Sequence, residues 1–149
     1  MAPRDAWRGL YAIVDPEHCG GRPPETVAEA ILEGGCALLQ LRTKALGDRA
    51  CLELARALAA RCRGRGVPFV VNDRADLARL AGADGLHLGQ DDVAVADARR
   101  IVGTLPIGLS THDEAQAREA AGAGADLIGF GPVFPTRSKV DPDPVVGVE

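Results

Sequence analysis

Two lysines stand among fifteen arginines, and both sit in the same local setting, Arg42-Thr43-Lys44 and Arg137-Ser138-Lys139. A lysine ammonium is a compact, mobile point charge, whereas a guanidinium is a flat fork. A chain that writes nearly every cation as Arg keeps Lys where a moving charge must be followed. The sole asparagine, Asn72, precedes Asp73, the only serines are Ser110 and Ser138, and a second acidic position, Asp92, closes Gln90-Asp91-Asp92. Two carboxylates from separate segments, accompanied by Arg, two Lys and an amide, suit a magnesium-bound polyphosphate. Mg²⁺ takes one or two protein carboxylates and completes its shell with water and substrate oxygens. Asp73 and Asp92 fit that economy. Arg42 can grip phosphate through its fork, while Lys44 and Lys139 can follow charge onto a departing group. The chemistry so described is leaving-group stabilisation.

Each segment also has a plainer reading. Asn72-Asp73 ahead of a helix could be a cap, Asp91-Asp92 a solvated turn, and Gly131-Pro132-Val133-Phe134-Pro135-Thr136 a rigid loop. His87 alternates with apolar residues and reads as a packed, hydrogen-bonded histidine. His112 could start a helix, and His18 carries no signal. What gives the polar groups weight together is where they fall: each follows one of a series of short apolar runs.

Those runs predict strands over Leu10–Val14, Ala37–Leu41, Phe69–Val71, Gly85–Leu88, Ile107–Leu109 and Leu127–Phe130. Ala/Leu/Arg-rich stretches between them predict helices over Thr26–Glu33, Asp48–Arg63, Ala75–Leu80, Ala94–Val102 and Asp113–Ala121, with Thr26 and Asp113 as N-caps. In the second helix, Leu52, Ala55, Leu58, Ala59 and Cys62 recur at spacings of three and four and form one apolar stripe. Strand and helix alternate from end to end, the pattern of βα units building a parallel sheet. In such sheets functional groups gather at the carboxyl ends of strands. There the chain places Gln40, Arg42 and Lys44, then Asn72 and Asp73, then Gln90 to Asp92, then Ser110 and His112, then Thr136, Ser138 and Lys139. A faint internal echo relates Gly82-Ala83-Asp84-Gly85 to Gly124-Ala125-Asp126-Leu127. Repeats of roughly two dozen residues favour a (β/α) barrel over a doubly wound sheet, although periodicity leaves both open.

The remaining composition narrows the function. With 149 residues, 46% of them hydrophobic, the chain makes one domain with a real core. A formal charge of −4 and 3% aromatic residues give no footprint for nucleic acid. No run approaches membrane-spanning length, and Arg4, Asp5 and Arg8 occupy the place of a signal peptide's apolar stretch, so the expectation is a cytoplasmic protein without a membrane partner. Cys19, Cys36, Cys51 and Cys62 lack C-x-x-C spacing and read as buried or incidental thiols.

The motifs resemble those of the thiamine phosphate synthases. Those that carry the likeness are Leu10-Tyr11-Ala12-Ile13-Val14-Asp15, Gln40-Leu41-Arg42-Thr43-Lys44, Asn72-Asp73-Arg74-Ala75-Asp76-Leu77-Ala78 and Gly82 to Asp92. Gly108-Leu109-Ser110-Thr111-His112 and Gly129 to Lys139 complete the set. The resemblance implies a TIM-barrel enzyme that joins hydroxymethylpyrimidine diphosphate to a thiazole phosphate and releases pyrophosphate. By that resemblance Asp73 and Asp92 would hold Mg²⁺, and Arg42, Lys44, Asn72 and Lys139 would contact the diphosphate. Gln40 would help position the pyrimidine, Ser110 would lie close to the reacting centre, and Thr136 and Ser138 would face the thiazole phosphate. The family's common Thr-x-Thr-Lys is here Thr136-Arg137-Ser138-Lys139, which keeps the hydroxyl.

A (β/α)₈ barrel typically needs about 200 residues or more. Six strand candidates and five helices therefore predict a single barrel domain over 1–149 that lacks the last two βα units, with Pro144 to Glu149 reading as the approach to a further helix. Two alternatives follow: an inactive or split fragment of the synthase, and a thiazole tautomerase-like relative, against which the Asn72, Asp73 and Asp92 set argues. The expected partners are the two small-molecule substrates, and a homo-oligomer is compatible with the sequence.

Overall fold

A computed structural model describes residues 7–137 and 142–148. Six strands are joined by five helices among the described residues: β1 (Tyr11–Val14), α1 (Pro24–Gly34), β2 (Leu38–Leu41), α2 (Asp48–Arg65), β3 (Phe69–Asn72), α3 (Ala75–Ala81), β4 (Gly85–Leu88), α4 (Val95–Val102), β5 (Ile107–Thr111), α5 (Glu114–Gly122) and β6 (Leu127–Phe130). All five strand pairs are parallel and spatial order follows chain order. With no reversal there is no topological switch point, so the doubly wound alternative falls away.

Alternate side chains of a strand point to opposite faces of its sheet. Val14, Leu39, Leu41, Phe69, Val71, Leu86, Leu88 and Ile107 share one core cluster with Ala28, Leu58, Ala78 and Ala98 of the helices. The opposite face is set by the register: Ile13 stands beside Gln40, Gln40 beside Val70, Asn72 beside His87, His87 beside Gly108, and Ser110 beside Gly129. One face is apolar and helix-covered, the other carries the polar groups.

Boundaries shift where local chemistry differs from pattern. Helix α1 starts at Pro24, so Thr26 is not its N-cap: Pro23 holds that position and its carbonyl accepts from Thr26 N and Val27 N. Proline suits the first helical position because its fixed φ is already helical and its missing N–H would have had no partner. Asp113 does cap α5, accepting from Gln116 N at 2.8 Å. On α2 the buried stripe is Cys51, Leu54, Ala55, Leu58, Ala59 and Cys62, with Leu52 only partly buried. Strand β5 runs on to Thr111 because Ser110 and Thr111 pair with Gly129 and Phe130, which puts Ser110 inside the strand. Cys19, Cys51 and Cys62 are buried, and burial pushes the Cys62 thiol up to about 12.

The internal echo has a structural cause. Asp84 Oδ2 accepts from Phe69 N at 3.0 Å, and its own N–H donates to Phe69 O at 2.7 Å. Asp126 does the same with Ile107, at 3.0 and 2.7 Å. Each Asp ties the start of its own strand to the start of the preceding one, supplying partners that a strand end would otherwise lack. Gly82 and Gly124 before them hold φ of 68° and 84°, the left-handed turn out of a helix that glycine adopts without a Cβ penalty.

Candidate functional site

The carboxyl ends of β2 to β5 open onto one cavity of about 490 Å³, lined by Arg42, Lys44, Asn72, Asp73, Gly89, Gln90, Asp91, Asp92, Ser110, His112 and Asp143. Nine of these, all but Gly89 and Asp143, lie at strand ends singled out for polar chemistry from the sequence.

Its charged centre is the pair Asp73 and Asp92. Asp73 is the one non-glycine residue among the described residues with positive φ, at 64°, a conformation that Asp tolerates better than most residues. Its N–H extends the ladder to His87 O at 2.8 Å, so the chain pairs with β4 until the moment it turns. The N-cap position of α3 belongs to Arg74, which makes no side-chain cap bond. The reading of Asn72-Asp73 as a cap is thus excluded. Instead Asp73 Oδ1 accepts from Asn72 Nδ2 at 2.6 Å, and Oδ2 accepts from Lys44 Nζ. Asp92 accepts from Gly89 N at 2.6 Å across its turn and faces Asp73. Burial pushes the Asp92 carboxyl above its ordinary value, and its contact with Asp73 adds to this, while Gly89 N–H and the Lys44 charge oppose it. Two carboxylates pressed together on separate strand ends, with one lysine beside them, form a donor set that a small oxygen-loving dication would relieve. Among the described residues no group of three or more His, Cys, Asp or Glu side chains is placed to cage a metal. Water and substrate oxygens would therefore have to complete any shell.

Arg42 enters from the other side. Its Nη1 donates to Asp15 Oδ2 at 2.5 Å. Behind the cavity Gln40 is buried and donates from Nε2 to Tyr11 Oη at 2.7 Å, so it backs the site and does not line it. Burial raises the Tyr11 phenol to about 12, against the opposing pull of the Gln40 bond. The Tyr11 ring meets His87 edge-on, centroids 6.1 Å apart. His87 is buried, as expected of a packed histidine, and its Nε2 lies 3.0 Å from Ser110 Oγ. Space for the imidazole comes from β5: a Cβ on Gly108 would sit 2.5 Å from His87 Nδ1. Gln90 Nε2 donates to Ser110 O at 2.6 Å and fixes the loop after β4 to β5.

A neighbouring cavity of about 290 Å³ shares Ser110, His112 and Asp143 with the first and adds Gly129, Phe130, Gly131, Pro132 and Thr136. His112 stands between them, its Nδ1 donating to Gly131 O at 2.5 Å and its Nε2 3.2 Å from Asp143 Oδ2. Thr136 therefore joins the site, while Ser138 and Lys139 lie outside the described residues. The sequence reading missed Asp15, Tyr11 and Asp143, and placed His112 at a strand end without giving it a role. Asp15 follows the first strand as Arg42 follows the second, so the strand-end rule, applied one strand earlier, finds it. Asp143 follows no strand, and no local signal marks it.

Comparison with known proteins places the chain among relatives of one family. The thiamine-phosphate synthase of Chloroflexus aurantiacus is 41% identical over 143 residues, which cover 96% of this chain and 66% of that protein. That of Halalkalibacterium halodurans is 46% identical over 138 residues, 91% of this chain and 65% of its own length. This chain thus spans slightly under two thirds of these relatives. The solved thiamine phosphate pyrophosphorylase from Pyrococcus furiosus superposes with a TM-score of 0.84 at 31% identity, over 95% of this chain and 67% of that one. Residues 10–149, which hold every group described above, match the family model for thiamine monophosphate synthase, and the chain belongs to that family.

Proposed function

We propose that the chain serves as a thiamine phosphate synthase, joining hydroxymethylpyrimidine diphosphate to a thiazole phosphate with release of pyrophosphate. The observation that carries this reading is the convergence of Arg42, Lys44, Asn72, Asp73, Asp92 and Ser110 from four strand ends on one cavity. Asp73 and Asp92 would hold Mg²⁺, and their contact with each other supports that fit. Bound there, Mg²⁺ would neutralise charge on the diphosphate. Arg42, Lys44, Asn72 and Lys139 bind the diphosphate oxygens, so that cationic groups already face the charge that grows on the leaving group. The methylene C–O bond breaks with both electrons going to pyrophosphate. The pyrimidine stabilises the carbocation left behind, and the thiazole nitrogen's lone pair forms the new C–N bond. No proton moves and no protein nucleophile is needed. Gln40 helps position the pyrimidine from behind the cavity, Ser110 stands beside the reacting carbon, and Thr136 at the adjoining cavity holds the thiazole phosphate, a role that the family resemblance extends to Ser138.

With this goes the TIM (β/α)₈ family for the fold, residues 1–149 forming one (β/α) barrel domain without the last two βα units. A parallel sheet in unbroken chain order, with its core against the helices, is the arrangement of an arc of such a barrel. Phosphorylated small-molecule substrates fit a cytoplasmic location, and among the described residues no helix is long and apolar enough to cross a membrane. A second reading, in which the 149 residues bind the diphosphate without completing the reaction, is favoured by the two edge strands, which among the described residues pair on their inner side only and where Ile13 and Phe130 are half exposed. The purified chain with both substrates and Mg²⁺ should form thiamine phosphate, detected by chromatography. A folded chain that binds Mg²⁺-pyrophosphate and yields no product selects the second reading, and one that does neither overturns both.

A further inference from the structure

Arg42 has a carboxylate behind it, on the side away from the large cavity. Asp15, at 8% exposure, uses both carboxylate oxygens: Oδ1 accepts from Glu17 N at 3.0 Å and caps the short 3-10 turn Pro16–His18, while Oδ2 accepts from Arg42 Nη1 at 2.5 Å. His18 Nδ1 lies 3.3 Å from that same Oδ2. The capped turn fixes Asp15, and Asp15 in turn fixes one edge of the guanidinium. Arg42 lines two cavities at once, a small one of about 180 Å³ that it shares with Asp15 and the large one that it shares with Lys44 and Asp73. A planar fork can do this because its five donors diverge from one rigid plane.

We propose that Asp15 is a positioning residue for the diphosphate step: it pins Arg42 by one edge so that the opposite edge faces the leaving group. This role rests on the synthase reading above. Two effects of Asp15 on an anion oppose each other, and that makes the idea sharp. Its negative charge weakens the attraction of Arg42 for diphosphate, whereas its hydrogen bond removes the rotamer freedom that binding would otherwise have to freeze. Without Asp15, Arg42 also gains the choice of swinging onto Asp73 or Asp92 across the cavity. Positioning predicts that neutralising Asp15 weakens diphosphate binding; simple charge balance predicts the reverse.

The test uses the 149-residue chain with Mg²⁺ and inorganic pyrophosphate in calorimetry, together with ¹⁵N spectra of the arginine guanidinium groups. Asp15→Asn keeps an oxygen that can cap the 3-10 turn, since Asn and Asp cap equally well, so the unfolding midpoint should move by under about 4 °C. In the parent chain the Arg42 Nη groups should rotate slowly and give separate signals, which merge in Asp15→Asn. Affinity for Mg²⁺-pyrophosphate should fall about tenfold, and Asp15→Asn should add nothing in an Arg42→Ala background. Equal or tighter binding by Asp15→Asn, or the same loss in the Arg42→Ala background, overturns the role of Asp15 while leaving the synthase reading intact. A parent chain that binds no pyrophosphate overturns both. Should Asp15→Asn fail to fold, Arg42→Lys decides: one ammonium cannot hold Asp15 and reach the cavity together, so it should bind as weakly as Arg42→Ala, and parental affinity overturns the proposal.

Discussion

Lys44 is 53% exposed, yet its ammonium reaches across from β2 to the carboxylate of Asp73 at the end of β3. An exposed ion pair contributes little to folding, so its value lies in where it leaves a positive charge. Replacing Lys44 by Ala should slow turnover by about 100-fold or more and change unfolding free energy by no more than about 0.5 kcal/mol, measured by steady-state rates and urea denaturation. Asp92 behaves differently. Its folded-state pKa lies above its ordinary value, so the protonated form is the one that folding favours. The associated stability is therefore fully present below the ordinary carboxylate pKa and is lost as pH rises through the raised one. In EDTA, the melting temperature of the parent chain should decline over that window. Asp92→Asn should remove this component of the decline and melt higher than the parent at neutral pH. Added Mg²⁺ should raise the melting temperature of the parent and leave the variant unmoved. At this scale the cavity's polar residues were legible, because rare side-chain types stand out in the sequence wherever they follow an apolar run. The partners of those residues were not: Asp15 and Arg42 are separated by 27 positions, and only the fold brings them to 2.5 Å.

Strands and helices were recognisable wherever an apolar run or stripe was unbroken, as in β4, β6 and the start of α2. Errors fell at ends, where a proline or a neighbouring strand overrode the pattern: Pro24 opened α1 early, and pairing with β6 drew Ser110 and Thr111 into β5. Glycine in β5 has a meaning that only the element pair reveals. A methyl on Gly108 would meet the His87 ring at 2.5 Å, whereas one on Gly129 would lie 3.4 Å from it, an ordinary contact. Gly108→Ala should therefore cost about 1–3 kcal/mol and displace the imidazole from Ser110, while Gly129→Ala should cost less than about 1 kcal/mol. Denaturant unfolding of the two variants side by side checks this, and equal losses would show that the imidazole yields without strain.

Across the molecule, β1 and β6 pair on one side only among the described residues. Unpaired strand edges bordered by apolar side chains are templates for association. Ile13 at one edge is 53% exposed and Phe130 at the other 52%. Sedimentation velocity of the purified 149-residue chain should show concentration-dependent self-association, and Ile13→Lys with Phe130→Lys should shift it toward monomer. A monomer at all concentrations would mean that these edges are not adhesive.

Composition and spacing were enough to determine that this is a parallel α/β chain with its rare polar residues at its strand ends, because the period of the apolar residues and the scarcity of Lys, Asn and Ser are properties of the chain itself. What the tertiary structure alone decided is which groups meet. Register sets which face of the sheet holds Gln40, His87 and Ser110. The left-handed turn at Asp73 brings its carboxylate against Asp92, and the capped turn after β1 delivers Asp15 to the back of Arg42. Contacts of this kind join residues far apart in sequence, and their energies depend on distance and burial that no local pattern encodes.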